Sequence, residues 1–463
     1  MPKNPPPPRI HILAKPSGAT CNLACSYCFF LDKELLYPNS KFRMSDEVLE
    51  AYIRQLIESH RSTEVTVAWQ GGEPTLMGVD FFRKAIAYQE KYRKPGMTFE
   101  NTMQTNATLL NDEWCEFLKE NNYLLGVSLD GPQHLHDAHR VDKGGKGTFD
   151  KVMRGVRLLQ KHGVEFNILT TVNRLNGDYP REIYQFLRDE VGTTWIQFIP
   201  VIERINPDGF NIYNVGDTVT ERSVRPEQFG RFLIQVFDEW IHHDVGEMFI
   251  QTFEAAARRW MGMPSGMCVF EETCGLGLAL EHNGDLYSCD HFVEPDFLLG
   301  NIQEEHMIEL VASDRQVKFG LDKRDSLPQY CLDCEVRFAC HGECPKNRFI
   351  ETPSGEPGLN YLCAGYKGFF HRVNEPYKIL SMLLRSGRPA EDVMAIVNQR
   401  EAHFPQAFAK AKADDPCPCG SEMAFKHCHG WKPAAARGRH KSGKSASGPR
   451  PSVRGALLSE SKS

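Results

Sequence analysis

Between Ile10 and Ile202, short β-rich runs alternate with amphipathic helical stretches six times over, and this alternation constrains the fold more than any other feature. The expected strands are 10–14, 65–69, 98–104, 124–129, 165–172 and 195–200, and the helical stretches between them include 80–92, 112–120, 149–162 and 180–189. Six βα units in a row predict a parallel sheet with right-handed crossovers. No Gly-x-Gly-x-x-Gly follows the first strand, so a partial (βα)6 barrel fits better than a flat nucleotide-binding sheet. In such barrels chemistry gathers at the C-terminal ends of the strands, where the βα loops converge.

The loop after the first strand carries Cys21, Cys25 and Cys28 as Cys-x3-Cys-x2-Cys, with Tyr27 just before the last cysteine. Three thiolates on one loop can hold three irons of a 4Fe–4S cube and leave the fourth iron open. A cluster with an open iron can bind and reduce a substrate. A zinc site is the alternative, but zinc sites close at four ligands in paired knuckles, and no fourth ligand lies nearby. Further polar segments fall on the same face. Gln70-Gly71-Gly72-Glu73-Pro74 follows the second strand, and its paired glycines let backbone approach a ligand closely. Thr105-Asn106 ends the third strand and Ser128-Leu129-Asp130-Gly131-Pro132 the fourth. Arg140 follows, where a guanidinium could pair with a carboxylate. Each alone reads as a plain turn. Four together, beside three cysteines, argue for a ligand site.

Eight more cysteines lie between residues 268 and 363. Cys268 leads, Cys274 and Cys289 bracket Gly284, and Cys331, Cys334, Cys340 and Cys344 follow as Cys-x2-Cys-x5-Cys-x3-Cys before Cys363. Eight thiols make two cluster complements of four, although the residues alone give no partition. Zinc stays open for the Cys331/Cys334 knuckle. A last group, Cys417, Cys419, Cys428 and His429, offers a closed Cys3His set of the kind that folds a small module around zinc. The chain has 15 cysteines, and only Cys115 stands apart from every group, as a core thiol. The N-terminal Met1-Pro2-Lys3-Asn4 and the prolines after it have no apolar core for a secretory signal, so a cytoplasmic protein is expected. There thiols stay reduced, and ligation explains the cysteines better than disulfides.

The cysteine loop and the Gly-Gly-Glu-Pro segment resemble those of radical S-adenosylmethionine (SAM) enzymes, and the eight-cysteine spacing resembles their SPASM extension. Over roughly residues 8–380 the chain is most similar to the anaerobic sulfatase-maturating enzymes. That likeness rests on Gln104-Thr105-Asn106, Ser128-Leu129-Asp130-Gly131-Pro132, Tyr287-Ser288-Cys289-Asp290-His291-Phe292-Val293 and Leu299-Gly300-Asn301-Ile302. Asp415-Pro416-Cys417-Pro418-Cys419-Gly420-Ser421 and Phe425-Lys426-His427-Cys428-His429-Gly430 resemble a SEC-C module, an appendage most sulfatase maturases do not need.

The resemblance implies an α/β fold: a radical SAM partial barrel, an Fe–S-rich SPASM domain and a small C-terminal zinc module. It implies three 4Fe–4S clusters. Cys21, Cys25 and Cys28 would hold the SAM-cleaving one. Cys268, Cys274, Cys289 and Cys344 would hold the first auxiliary cluster, and Cys331, Cys334, Cys340 and Cys363 the second. Tyr27, Gly72, Ser128, Arg140 and Ile202 would line SAM, with the Gly-Gly-Glu-Pro segment meeting its amino group. The family reaction oxidises a Cys or Ser of a sulfatase, in a Cys/Ser-x-Pro-x-Arg segment, to Cα-formylglycine without oxygen. Asp290 is the implied general base, with His291 as a rival because imidazole is the commoner base near neutrality. The implied partners are an unfolded or nascent sulfatase polypeptide and an electron donor such as flavodoxin or ferredoxin. The zinc module would dock a substrate or another protein, and the enzyme is expected to be a monomer that binds neither membrane nor nucleic acid.

Two other readings compete. A SPASM enzyme forming thioether or C–C crosslinks in another peptide would be expected to carry a peptide-binding module before the barrel, and only nine residues precede Ile10. An electron carrier has no use for an open iron or a SAM pocket. The expected organisation is barrel 1–225, helical connector 226–262, SPASM domain 263–380, helical linker 381–412, zinc motif 413–432 and tail 433–463. The apolar stripe Phe229, Leu233, Val236, Phe237, Trp240 and Ile241 reads as core. Residues 432–463 carry eight Lys/Arg against Glu460, a net +7 in a chain of −6, and read as a solvated, disordered basic extension.

Overall fold

The computed structural model describes residues 4–5, 7, 9–205 and 216–432; the basic tail lies outside the described residues. Six strands, β1 (His11–Ala14), β2 (Glu64–Trp69), β3 (Thr98–Thr105), β4 (Tyr123–Ser128), β5 (Glu165–Val172) and β6 (Trp195–Pro200), hydrogen-bond in chain order, all parallel. Each lies within one or two residues of its expected span. Alternation explains the two faces of this sheet. Along β4, Tyr123, Leu125 and Val127 are buried under the surrounding helices, while Leu124, Gly126 and Ser128 point the other way. That second face carries polar groups: Gln104 Nε2 donates to Ser128 Oγ at 2.9 Å. A Cβ at Gly126 would sit 2.0 Å from Gln104 Oε1, so glycine makes room for that side chain.

The helices start and stop where local chemistry says they should. Asn111 Oδ1 accepts from Trp114 N at 2.9 Å and caps Asp112–Glu120. Gly163 at φ 65° ends Phe149–His162. The stretch expected as one helix over 180–189 is an α-helix, Pro180–Gln185, that widens into a π-helical turn at Phe186–Val191.

The 226–262 connector is not continuously helical. It forms two helices, Pro226–His243 and Gln251–Trp260, separated by the strand β7 (Phe249–Ile250), which adds to the barrel beside β6. Gly246 takes φ 90° in the turn, and Phe249 N donates to Thr194 O at 2.8 Å, so strand pairing overrides the helical pattern. The apolar stripe is core, with all six side chains buried.

At the opposite edge the sheet continues into the second cysteine field. Strand β8 (Gly277–Leu280) runs parallel to β1, with His11 opposite Gly277 and Ala14 opposite Leu280. The antiparallel strands β9 (Asp285–Tyr287) and β10 (Leu298–Asn301) complete one ten-stranded sheet. Among the described residues no helix is long and apolar enough to cross a membrane.

The helix Pro226–His243 packs against the long helix Cys363–Arg385 at a glycine-on-glycine crossing. A Cβ on Gly230 would lie 2.6 Å from Gly365 Cα. Alanine normally gains about 1 kcal/mol over glycine inside a helix, but overpacking against backbone costs about 1–3 kcal/mol. Gly230→Ala should therefore lower the denaturation midpoint. A midpoint at or above that of the wild type would show that the two helices can part freely.

Candidate active site and metal centres

The cysteine loop leaves β1 and is held by the segment after β2. Gly72 N donates to Gly18 O at 2.8 Å and Glu73 N to Thr20 O at 2.9 Å, so the Gly-Gly-Glu run lies along the loop just before Cys21. A Cβ on Gly72 would fall 2.0 Å from Thr20 O, which makes glycine obligatory there. The Glu73 side chain is buried and accepts from Thr75 N (3.0 Å), Thr75 Oγ1 (2.6 Å), Thr105 Oγ1 (2.7 Å) and Asn106 N (2.8 Å). Burial pushes its carboxyl up, and these four donors oppose that rise. Glu73 thus staples the β2 and β3 loop ends together. Asn106 reaches on to the cysteine loop, donating to Asn22 Oδ1 at 2.9 Å and lying 3.7 Å from Cys21 Sγ.

Asp130, at the end of β4, is the second staple. Its fully buried carboxylate accepts from the Tyr27 hydroxyl, pairs with Arg140 Nε at 3.1 Å and accepts from Thr171 N at 3.0 Å. The Arg140 guanidinium sits 5.6 Å from the Tyr27 ring centre and donates through Nη2 to Thr171 Oγ1 at 3.1 Å. Arg140 is therefore already committed to Asp130 and Thr171. The sequence string containing Asp130 gave no sign of this role, which depends on where Arg140 and Tyr27 arrive in space. Ser128, with its hydroxyl accepting from Gln104, lies two residues before Asp130 on this face. Ile202 follows β6 at the same strand ends and is buried.

The segment after β9 brings Asp290 to the mouth of the barrel. Asp290 Oδ1 lies 2.5 Å from Lys15 Nζ, and Lys15 also donates to Gln70 Oε1 at 2.6 Å. Lys15 is 1% exposed, one residue beyond β1, and its ammonium stands 4.7 Å from the Phe30 ring centre. Burial pushes the Asp290 carboxyl up, but Lys15, His291 and Lys346 outweigh it and hold it below the ordinary aspartate value. His291 Nδ1 faces Cys344 Sγ at 3.4 Å, and burial pushes this imidazole down to about 4. Lys15 was missed in sequence; its one signal is a lysine at the end of a buried barrel strand.

The cysteines fall into four groups. In the first loop, burial raises Cys21 to about 12 and Cys25 to about 11, and their mutual proximity adds to the rise. Cys268, Cys274, Cys289 and Cys344 are close enough that their charges oppose one another's ionisation, burial being the larger cause. Cys331, Cys334, Cys340 and Cys363 line one cavity with Val336 and Tyr366. Buried, crowded thiols of this kind suit a cationic iron–sulfur core, which would supply the positive charge that favours thiolates. The fourth group, Cys417, Cys419, Cys428 and His429, places four ligand atoms within 4.8 Å of one another, a fit for one tetrahedral ion. Cys115 is buried beneath the barrel, as expected of a core thiol.

A partial barrel with a three-cysteine loop at its mouth, continued through one sheet into a second cysteine field, defines a radical SAM protein with a SPASM extension. Residues 16–187 match the radical SAM superfamily, 272–335 the SPASM iron–sulfur cluster-binding domain and 415–430 the SEC-C motif. The chain is 48% identical over 375 residues to a serine-type anaerobic sulfatase-maturating enzyme of Bacteroides thetaiotaomicron, covering 80% of this chain and 90% of that one. A cysteine-type enzyme of Clostridium novyi is 31% identical over 370 residues, covering 78% of this chain and 95% of that one. Among solved structures, native anSMEcpe with bound AdoMet and Kp18Cys peptide superimposes with a TM-score of 0.72 at 30% identity, covering 81% of this chain and 99% of that chain. The chain belongs to the anaerobic sulfatase-maturating enzyme family.

Removing one member of a buried ion pair costs about 3–5 kcal/mol, because the other charge is stranded. Asp130→Ala should lose stability on that scale in a denaturant titration. A loss below about 1 kcal/mol would show that Arg140 finds another partner and that Asp130 is not the staple.

Proposed function

We propose that this protein oxidises an active-site Cys or Ser in a Cys/Ser-x-Pro-x-Arg segment of a sulfatase to Cα-formylglycine without oxygen. The observation that carries this reading is the position of Asp290, held by Lys15 at the barrel mouth between the three-cysteine loop and the second cysteine field. The oxidation removes a hydrogen atom from the substrate Cβ, a proton from its thiol or hydroxyl, and one further electron. Cys21, Cys25 and Cys28 would hold a 4Fe–4S cluster that, with SAM bound, supplies the hydrogen-atom acceptor. Tyr27, Gly72, Ser128, Arg140 and Ile202 would form the SAM-lining surface, with Asp130 holding Arg140 and Tyr27 in place.

Asp290 takes the proton in this reading. A carboxylate within reach of the substrate heteroatom serves as general base when geometry holds it there, and Lys15 does the holding. His291 is turned toward Cys344, which leaves Asp290 the better placed of the two. Two further clusters, on Cys268, Cys274, Cys289 and Cys344 and on Cys331, Cys334, Cys340 and Cys363, would take the last electron. The substrate would be met as an unfolded or nascent chain in the cytoplasm, with a flavodoxin- or ferredoxin-type donor restoring the electron that SAM cleavage consumes.

The test is anaerobic incubation of the reconstituted protein with SAM, reductant and an 18-residue-scale Cys- or Ser-peptide, read by mass spectrometry. The serine peptide comes first, because identity is greater to the serine-type relative. Formylglycine and 5′-deoxyadenosine should appear together; 5′-deoxyadenosine with both peptides unchanged would leave a radical SAM enzyme of another substrate. Asp290→Asn should cut formylglycine about 100-fold or more, on the scale of a lost general base, while 5′-deoxyadenosine still forms. Wild-type yield from that variant would assign the proton to another group.

A further inference from the structure

The C-terminal module folds back onto its own chain. His429 Nδ1 faces the sulfurs of Cys417 at 3.2 Å and Cys428 at 3.3 Å. Its other nitrogen, Nε2, lies 2.6 Å from Asp238 Oδ2, 191 residues earlier in the chain, on the helix Pro226–His243. Asp238 is buried, and its second oxygen accepts from Arg372 Nε at 2.8 Å, on the helix Cys363–Arg385. Arg372 is 2% exposed and reaches Glu401 Oε2 at 2.7 Å. One carboxylate therefore joins the module's histidine to both helices of the glycine crossing.

Other contacts close the same seam. Arg231, on the first helix, donates through Nη1 to His427 O at 3.2 Å and stands 4.0 Å from the Trp431 ring centre. Phe408 stacks on the His429 ring at 4.5 Å with planes 13° apart. At Gly368 of the second helix a Cβ would meet Met423 Cγ at 2.6 Å, so the module presses directly on that helix. The helix begins with Cys363, one of the four thiols lining the cavity assigned above to a cluster.

We infer that Asp238 is the positioning residue for His429, and that the C-terminal module is an intramolecular clamp on these two helices. A histidine that binds a metal through Nδ1 as neutral imidazole carries its proton on Nε2, and a carboxylate accepting that proton fixes both tautomer and ring orientation. A module built to recruit another protein would have no need for a buried partner on the barrel side. Here the metal, His429, Asp238, Arg372 and Glu401 form one chain of contacts, so filling the metal site and ordering the two helices are coupled.

The experiment uses the full chain with its clusters reconstituted, dialysed anaerobically against zinc buffers of graded free zinc, with zinc and iron read by mass spectrometry. Asp238→Asn should weaken zinc about 10–100-fold, the usual scale for losing an outer-shell partner, with iron content unchanged. Zinc affinity within about threefold of the wild type would overturn the positioning role. A second measurement needs no variant: hydrogen exchange of the wild-type chain as free zinc is lowered. Exchange should rise in residues 231–238 and 367–372 together with the module. A rise confined to 413–432 would overturn the clamp.

Discussion

Four residues of β8 run parallel to β1, and through that ladder the second cysteine field becomes part of the barrel's own sheet. Parallel pairing in register puts the chain that leaves β9 over the C-terminal end of β1, where the first cysteine loop also begins. Lys15 and Asp290 meet at that junction. Without the ladder the two cysteine fields would be separate lobes. With it, a proton acceptor stands between the loop where a hydrogen atom would leave the substrate and the thiols that would receive an electron.

The polar groups that shape this face are charges buried in pairs. Lys15 with Asp290, Arg140 with Asp130 and Arg372 with Asp238 are each almost removed from water. Desolvation of two ions offsets much of their attraction, so such pairs contribute little net stability. What they contribute is position, since either partner alone would be a stranded charge. That suits a site whose parts come from β1, β4, the segment after β9 and a C-terminal module. Glu73 does the same work without a cation, using four donors to lock two loop ends together.

Much of this was legible in sequence because it is local. Strand and helix periodicity found all six barrel strands, since burial on alternate sides of a sheet writes itself into neighbouring residues. The cysteine spacings found every thiol group, because ligands on one loop must lie a few residues apart. Local patterns misled where a distant partner won. Residues 226–262 read as one helix, yet Phe249 pairs with the edge of β6 and breaks it. The expectation that the C-terminal module docks an outside molecule also gives way, because its histidine is met by Asp238 of the same chain.

Taken by itself, the sequence determined the element order, the ligand-bearing loops and, by resemblance, the family. These depend on contacts within a few residues or on spacings that survive in one dimension. Only the tertiary structure decided which side chain answers which: Lys15 for Asp290, Asp130 for Arg140, Asp238 for His429. The pairs are separated by 275, 10 and 191 positions in the chain. Coulomb attraction acts through space, and in a folded chain space is arranged by sheet register and helix packing, neither of which a run of residues displays.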